Sequence, residues 1–413
     1  MLVNNTNATF RINLTKIIGG VAVFLSLIPW FRFGLFGNGS GSMPWPFIGY
    51  LLFFLSFKTP IIKTPKNFTV FLIVLICGIS VALFVSYSVL NENTFRSLYN
   101  YLSVAVIYLG FFNYLIRYGF PMHIFIYVNI LWLLFALLEL FMPEIALNFS
   151  AIRTQSGRGV TSLANEPTFF GMYLFFSSWL MFVGSNYKPG KYLMSLIFLN
   201  IIFIFFIAKA SMIIIYLLLT VLVFFTYAFI RLRWKKNSLK LTAIFGALAF
   251  VGGVIINYGL ESSRYLSMLN RLLKGINLHD LFFNDASLNN RLEHIVYSTH
   301  GAVKNLLIPS GFDAFFHFKA KLDIIYDYYF WYGQPTNKIM SWNGDWLFQL
   351  GFFGIIFVGY LFYSSSDGSR MKRAELFLLV ILLFSAIPIA FPLIPMLLAL
   401  YTYIRRIRAN DSL

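Results

Sequence analysis

Residues 68–90 read FTVFLIVLICGISVALFVSYSVL, 23 positions without a charged side chain. A helix needs about 20 such residues to cross a bilayer, and in lipid only helices and closed barrels satisfy their own backbone. The stretch decides the fold class because it recurs. Further apolar runs cover 17–31, 44–57 (a short one), 98–116, 120–142, 168–185, 192–208, 210–230, 241–258, 346–363, 375–388 and 391–404. The pattern predicts an all-α polytopic membrane protein with about 12 transmembrane helices. The count is 11–12, because Pro388, Pro392 and Pro395 also suit a re-entrant pair over 375–404. Composition points the same way. Of 413 residues, 59% are hydrophobic and 11% charged, where a soluble domain carries roughly 25% charge. That much apolar surface exceeds what a soluble core can hide. The chain therefore reads as a single transmembrane domain over 1–413.

The net charge of +17 would suit a polyanion, but its distribution follows the membrane. With the N-terminus inside, 19 of the 32 Lys and Arg fall in cytoplasmic segments and only three acids join them, Asp367, Glu375 and Asp411. The cytoplasmic side is then strongly positive and the other side close to neutral, as the positive-inside rule requires. Nucleic acid is not implied as a partner; the lipid bilayer is. The N-terminus shows no cleavable signal peptide. Cys77, the one cysteine, excludes a disulfide framework and reads as a small buried hydrophobe.

The same topology restricts the chemistry. The longest internal cytoplasmic loop, 231–240, is too short for a nucleotide domain, and no Gly-x4-Gly-Lys-Ser/Thr loop occurs. The substantial outer segments are 143–167 and 259–345, and loops of that length carry function. A reaction on that face is remote from ATP. Its substrate must arrive activated, with a membrane-borne leaving group such as a lipid diphosphate.

The first outer loop carries Arg153 and Arg158, then Glu166-Pro167 at the start of the next span. Arginine's planar fork suits phosphate, and Pro167 suits the first helical position, which leaves Glu166 capping the helix toward the outer face. Capping and solvated loop charge account for these residues equally well. The long loop opens with an amphipathic stretch over 260–275 that carries Arg264, Arg271 and Lys274 as a basic stripe, suited to a diphosphate or to lipid headgroups. A second amphipathic helix follows. Leu292, Ile295, Val296, Thr299, Ala302, Val303 and Leu306 form its apolar arc, with Arg291 and His294 on one flank and Glu293, His300 and Lys304 on the other. Beyond it lie Asp313, Tyr326 and Trp331 among aromatic residues that suit a glycan or an interfacial belt. Glu166 and His294 are the candidate general bases, and Arg153, Arg158, Arg264 and Arg291 the candidate diphosphate contacts. Asp313, Tyr326 and Trp331 are the candidate glycan contacts. No Asp-x-Asp pair occurs, so no metal site and no cofactor is expected.

This arrangement resembles the superfamily of O-antigen polymerases (Wzy) and O-antigen ligases, bacterial inner-membrane glycosyltransferases of the GT-C type. Three segments carry the resemblance: Arg158-Gly159 with Glu166-Pro167; Arg291 followed by Ile308-Pro309-Ser310-Gly311-Phe312; and Trp346 to Gly354 with Gly351 and Gly354. Helix number and the place of the large loop fit along most of the chain. Met340 stands where the ligase branch carries a histidine, which favours a polymerase. Pro309 or Ser310 replaces the first glycine of the second motif. The resemblance implies a polymerase of undecaprenyl-diphosphate-linked oligosaccharide repeat units in the inner membrane, with both termini cytoplasmic and a large helical periplasmic loop. It also implies a separate chain-length regulator protein as a partner. The rival readings are an O-antigen ligase, a lipid-linked oligosaccharide flippase or transporter, and a non-catalytic scaffold.

Overall fold

A computed structural model describes residues 4–30, 44–57, 62–86, 92–144, 159–232, 283, 286–332 and 338–411. The expected span 241–258 and the basic stripe at 264–274 lie outside these residues. Among the described residues the chain is helical, with no strand. In order the helices are α1 (Asn4–Ser26), α2 (Trp45–Leu55), α3 (Phe68–Val85), α4 (Glu92–Tyr118), α5 (Met122–Phe141) and α6 (Pro167–Gly184). They continue with α7 (Lys191–Phe203), which runs into a π turn at Ile204–Ala208, then α8 (Ser211–Leu232), α9 (Ala286–Lys304) and α10 (Ala314–Ile325). The last four are α11 (Trp342–Gln349), α12 (Gly351–Ser365), α13 (Arg370–Leu382) and α14 (Leu393–Asp411). Five stretches are long and apolar enough to cross a membrane: α3, Thr94–Tyr118 of α4, α5, α6, and α7 with its π turn.

Many polar contacts between segments lie toward one or other end of the helices. At one end Asn113 exchanges hydrogen bonds with the Lys63 backbone, the Tyr360 hydroxyl donates to the Lys66 carbonyl, and the Tyr187 hydroxyl donates to Glu375. At the other end the Trp132 indole donates to the Leu27 carbonyl, the Phe312 amide to the Ser86 hydroxyl, and the Asn343 amide to the Leu383 carbonyl. α3 begins at the first end and finishes at the second. Its 18 residues separate the two by about 27 Å, at 1.5 Å per residue. Among the described residues, α3 and α4 thus run in opposite directions.

Which helix sits in the middle is less obvious from hydropathy. α14 carries Arg405, Arg406 and Arg408 in its last turns, yet Leu393 to Thr402 are all buried. Its first three turns are apolar on every face, the signature of a helix enclosed by others. It packs against α4, α6 and α12, and Thr402 joins Tyr108 and Ser364 in a buried hydroxyl network, with the Tyr108 hydroxyl 2.9 Å from both. Such groups bind helices together where water is absent. α13 and α14 run antiparallel: Asp367, before α13, pairs with Arg408, near the end of α14, at 2.7 Å. α3 is the opposite case, leaving Val70, Ile73, Ile76 and Phe84 exposed. Cys77 lies on this face and is exposed, so the expectation of a buried cysteine is corrected.

The run 346–363 does not form one helix. The chain breaks at Leu350–Gly351 into α11 and α12. Gly351 has φ +56, and a Cβ there would lie 2.1 Å from the Leu307 carbonyl oxygen. That carbonyl accepts the Phe352 amide at 2.8 Å. The glycine therefore permits both a left-handed turn and contact between backbones. Gly351→Ala is expected to lower stability by about 2–4 kcal/mol through strain and displacement, read as a clear fall in the thermal unfolding midpoint of the purified protein in detergent.

Candidate functional site

The end of the bundle that contains Ser86 and Leu383 is capped by α9, α10 and α11. They share a small core of Tyr297, Phe315, Leu322, Phe330, Ile339 and Phe348. The orientation of α9 differs from expectation. Its buried face carries Asn289, Glu293, His294, Tyr297, Ser298, Gly301 and Ala302, whereas Val303 and Leu306 of the predicted apolar arc are exposed. The polar groups make this burial possible. Glu293 forms an ion pair with the almost fully buried Lys319 of α10, and the Tyr297 hydroxyl donates to Asp323 at 2.8 Å. Gly301 has no side chain to hold off Phe348 and Phe318, whose rings would lie within 2.7 Å of a Cβ. Hydropathy periodicity counts Glu293 as a charge; paired inside, it is part of the core.

Two segments that carry the family resemblance meet here. The Ser310 amide donates to the Phe348 carbonyl at 3.1 Å, Asn305 donates to the Ser310 hydroxyl at 2.8 Å, and Phe352 bonds back to Leu307. Residues 305–312 and the α11–α12 break are thus one hydrogen-bonded unit, fastened to the bundle through Ser86.

The third segment is held by a residue with no assigned role in the sequence, Glu139. Buried at the end of α5, its carboxylate accepts the Thr161 amide at 3.0 Å, the Thr161 hydroxyl at 2.9 Å and the Ser162 amide at 2.6 Å. The loop also lies against the π turn of α7: the Val160 amide donates to the Ile207 carbonyl, and a Cβ on Gly159 would sit 1.9 Å from the Ala208 oxygen. This clamp sets the start of α6. Pro167 opens that helix, and Glu166 occupies the N-cap position half-buried. Its side chain makes no capping hydrogen bond, which corrects the reading of Glu166 as a helix cap.

Arg291 is partly buried on α9, close enough to the bundle for its charge to act on the Tyr216 hydroxyl of α8. That hydroxyl hydrogen-bonds to Ser385. Tyr216 in turn packs against Phe175 and Phe176 of α6, about 14 Å along that helix from Glu166. His294 is not beside Arg291 on an open flank. It is 1% exposed and stacks on Phe315 with ring centroids 5.5 Å apart. Burial, then the charges of Lys319 and Lys338, push its pKa down to about 3. A ring held neutral so strongly is a poor proton acceptor, so His294 does not fit the expected role of base.

Of the glycan candidates, Trp331 presents an exposed ring whose indole donates to the Phe283 carbonyl at 2.8 Å. Tyr326 is half-buried and its hydroxyl meets His300 Nδ1 at 2.8 Å. Asp313 is buried at the start of α10, with little surface for a sugar. Arg153, Arg158 and Arg264 lie outside the described residues. Among the described residues no group of three potential metal ligands comes together.

One further acid stands out in the structure. Asp345 of α11 is buried, as are Trp342 and Trp346 of the same helix, and burial holds its carboxyl well above the usual carboxylate range. Gln349 donates to it at 3.3 Å, and the Tyr101 hydroxyl donates to its backbone carbonyl and to Gln349. An acid within the run Trp342-Asn343-Gly344-Asp345-Trp346 was the available sequence signal, since an ionisable group at the edge of a span is costly to keep. Compared with known proteins, the chain matches no family model, curated protein or solved structure.

Two outcomes follow from these contacts. Glu139→Gln keeps the shape but not the charge and is expected to cost about 1–3 kcal/mol locally, seen as faster hydrogen exchange in the peptide 159–166 with the bundle unchanged. For His294, the unfolded ring takes up a proton below its ordinary pKa near 6.5 while the folded ring does not until about 3. Stability is therefore lost as pH falls through that window, by at most about 1.4 kcal/mol per pH unit from this one group. Asp345 contributes with the opposite sign, but equally in a His294→Phe variant. The stability difference between the two proteins should shift toward the variant as pH drops from 6.5 to 4; a constant difference would show that the imidazole is not buried and neutral.

Proposed function

We propose that the chain polymerises undecaprenyl-diphosphate-linked oligosaccharide repeat units on the outer face of a bacterial inner membrane. In this reading it is a GT-C-type enzyme with about 12 spans and cytoplasmic termini. The observation that carries the proposal is the position of Arg291. It holds a partly buried cation on the capping helix α9, within electrostatic reach of Tyr216 of the bundle. Two lipid-linked substrates need such a place, where a diphosphate can rest at the membrane surface while its lipid tail stays in the bilayer.

The acceptor hydroxyl of one lipid-linked unit attacks the anomeric carbon of the growing glycan. The bond from that carbon to the diphosphate oxygen breaks, and the lipid diphosphate leaves with the electron pair. Arg291, with Arg153, Arg158 and Arg264, stabilises the charge that develops on it. Glu166, whose carboxylate is not used for capping, takes the hydroxyl proton. His294 and the Glu293–Lys319 pair keep α9 in place and so position Arg291. The exposed face of Trp331 supports stacking on a sugar, with Tyr326 beside it; Asp313 is the weaker glycan candidate. No metal or cofactor enters this reaction, and chain length is left to a regulator protein.

A ligase is the nearest alternative. Met340, in the position where the ligase branch has a histidine, packs its sulfur 3.8 Å from the side chain of Asn290, the neighbour of Arg291. A thioether there cannot move a proton, which favours polymerase. Arg291→Ala is expected to reduce polymer formation about 100-fold or more at normal protein level, so that surface glycolipid on a gel shows single repeat units in place of a ladder. An unchanged ladder would remove Arg291 from the site, and loss of every attached unit would favour a ligase or a flippase.

A further inference from the structure

The opposite end of the bundle contains a cavity that the proposed reaction does not use. It has a volume of about 740 Å³ and lies between the approach to α3, the end of α12 and the end of α14. Three cations line it, Lys66, Arg405 and Arg406, and no carboxylate does so among the described residues. We propose that this cavity binds a phosphate-bearing anion.

Three features support the assignment. First, the three cations face a cavity that no carboxylate lines among the described residues. Asp367 lines an adjoining smaller cavity that shares Tyr363, Arg405 and Ala409, and it is engaged there by Arg408 at 2.7 Å and Lys372 at 3.9 Å. Second, the arginines are held in place. Arg405 Nη1 donates to the Tyr363 carbonyl at 2.8 Å and to the Ser364 carbonyl at 3.4 Å, and its guanidinium lies 5.4 Å from the Tyr363 ring. Arg406 lies 6.0 Å from the Phe112 ring. A guanidinium fixed from one side offers its remaining N–H groups in a set direction, the geometry that suits phosphate oxygens. Third, the walls are mixed. Ser364 and Thr402 supply hydroxyls, whereas Phe71, Phe112 and Pro65 are apolar. A phosphate attached to an apolar or glycerol-like body matches such a wall better than a bare ion does. The cavity lies at the end of the helices that the charge pattern assigns to the cytoplasm, where anionic headgroups are one source of phosphate. The shared chemistry is a phosphate mono- or diester, from an anionic lipid headgroup or from a soluble phosphate compound.

The test uses the full-length protein purified in detergent, with phosphatidylglycerol, phosphatidylcholine and inorganic pyrophosphate as probes in separate titrations. Binding is followed by native mass spectrometry and by the thermal shift. Phosphatidylglycerol is expected to bind in a salt-sensitive manner and more tightly than phosphatidylcholine. The double variant Arg405→Ala, Arg406→Ala should weaken it by about tenfold or more. Arg405→Lys, Arg406→Lys keeps the charge and should weaken it less. Lys66→Ala removes an exposed side chain without touching the Tyr360 hydrogen bond, so it reports on the cavity even if the double variant does not fold. Arg373→Ala, on a cation outside the cavity, should leave binding unchanged. Pyrophosphate binding abolished by the same variants would support the site and identify a soluble phosphate as its source. Absence of binding by both anionic probes, or binding insensitive to Arg405, Arg406 and Lys66, would overturn the proposal. None of these readouts depends on the polymerase reading.

Discussion

A lipid interior offers no hydrogen bonds, and the rest of the structure depends on that. Backbone groups must pair within helices, and side chains that need partners are driven to the helix ends or into tightly shared networks. The hydroxyl cluster of Tyr108, Ser364 and Thr402 is such a network. Many other polar contacts between segments lie toward one or other end of the helices, about 27 Å apart along α3. The two ends differ in chemistry: one has the buried Glu293–Lys319 pair and His294 among aromatic rings, the other Arg405, Arg406 and Arg408 close to Asp367.

At the first end, the arrangement rests on paying for buried charge by pairing it. Glu293 meets Lys319, and Glu139 meets two backbone amides and a hydroxyl. Each pair fixes a segment that carries a proposed functional group: α9 with Arg291, and the loop that leads to Glu166. Breaking one partner of such a pair leaves a buried charge uncompensated, which costs more than the pair contributes. This gives the carboxylates a positional role even though they touch no substrate in the proposed reaction. Asp345 differs because no cation among the described residues forms an ion pair with it, and burial favours its protonated form.

Part of this was legible in the residues. The spans over 68–90, 120–142 and 168–185 correspond to α3, α5 and α6 within a few residues, because long apolar runs in lipid have one solution. The start of α6 at Pro167 was also readable, since proline suits only the first turn of a helix. The break at Gly351 was not. Nothing local distinguishes that glycine from Gly354, and only the approach of the Leu307 carbonyl from 44 positions away requires it. The buried face of α9 was misplaced for a related reason. Hydropathy scores Glu293 and His294 one residue at a time, while their burial depends on Lys319 and Phe315 of α10.

The sequence by itself determined the helical membrane class, because that follows from the cost of placing single residues in lipid. Only the tertiary structure decided that α14 is enclosed by its neighbours, that Glu139 fastens the loop before α6, that Asp345 is buried, and that Arg405 and Arg406 share a cavity with Lys66. Those properties belong to pairs and clusters of residues far apart in the chain. Their energies depend on distance, burial and partner, none of which a one-dimensional pattern contains.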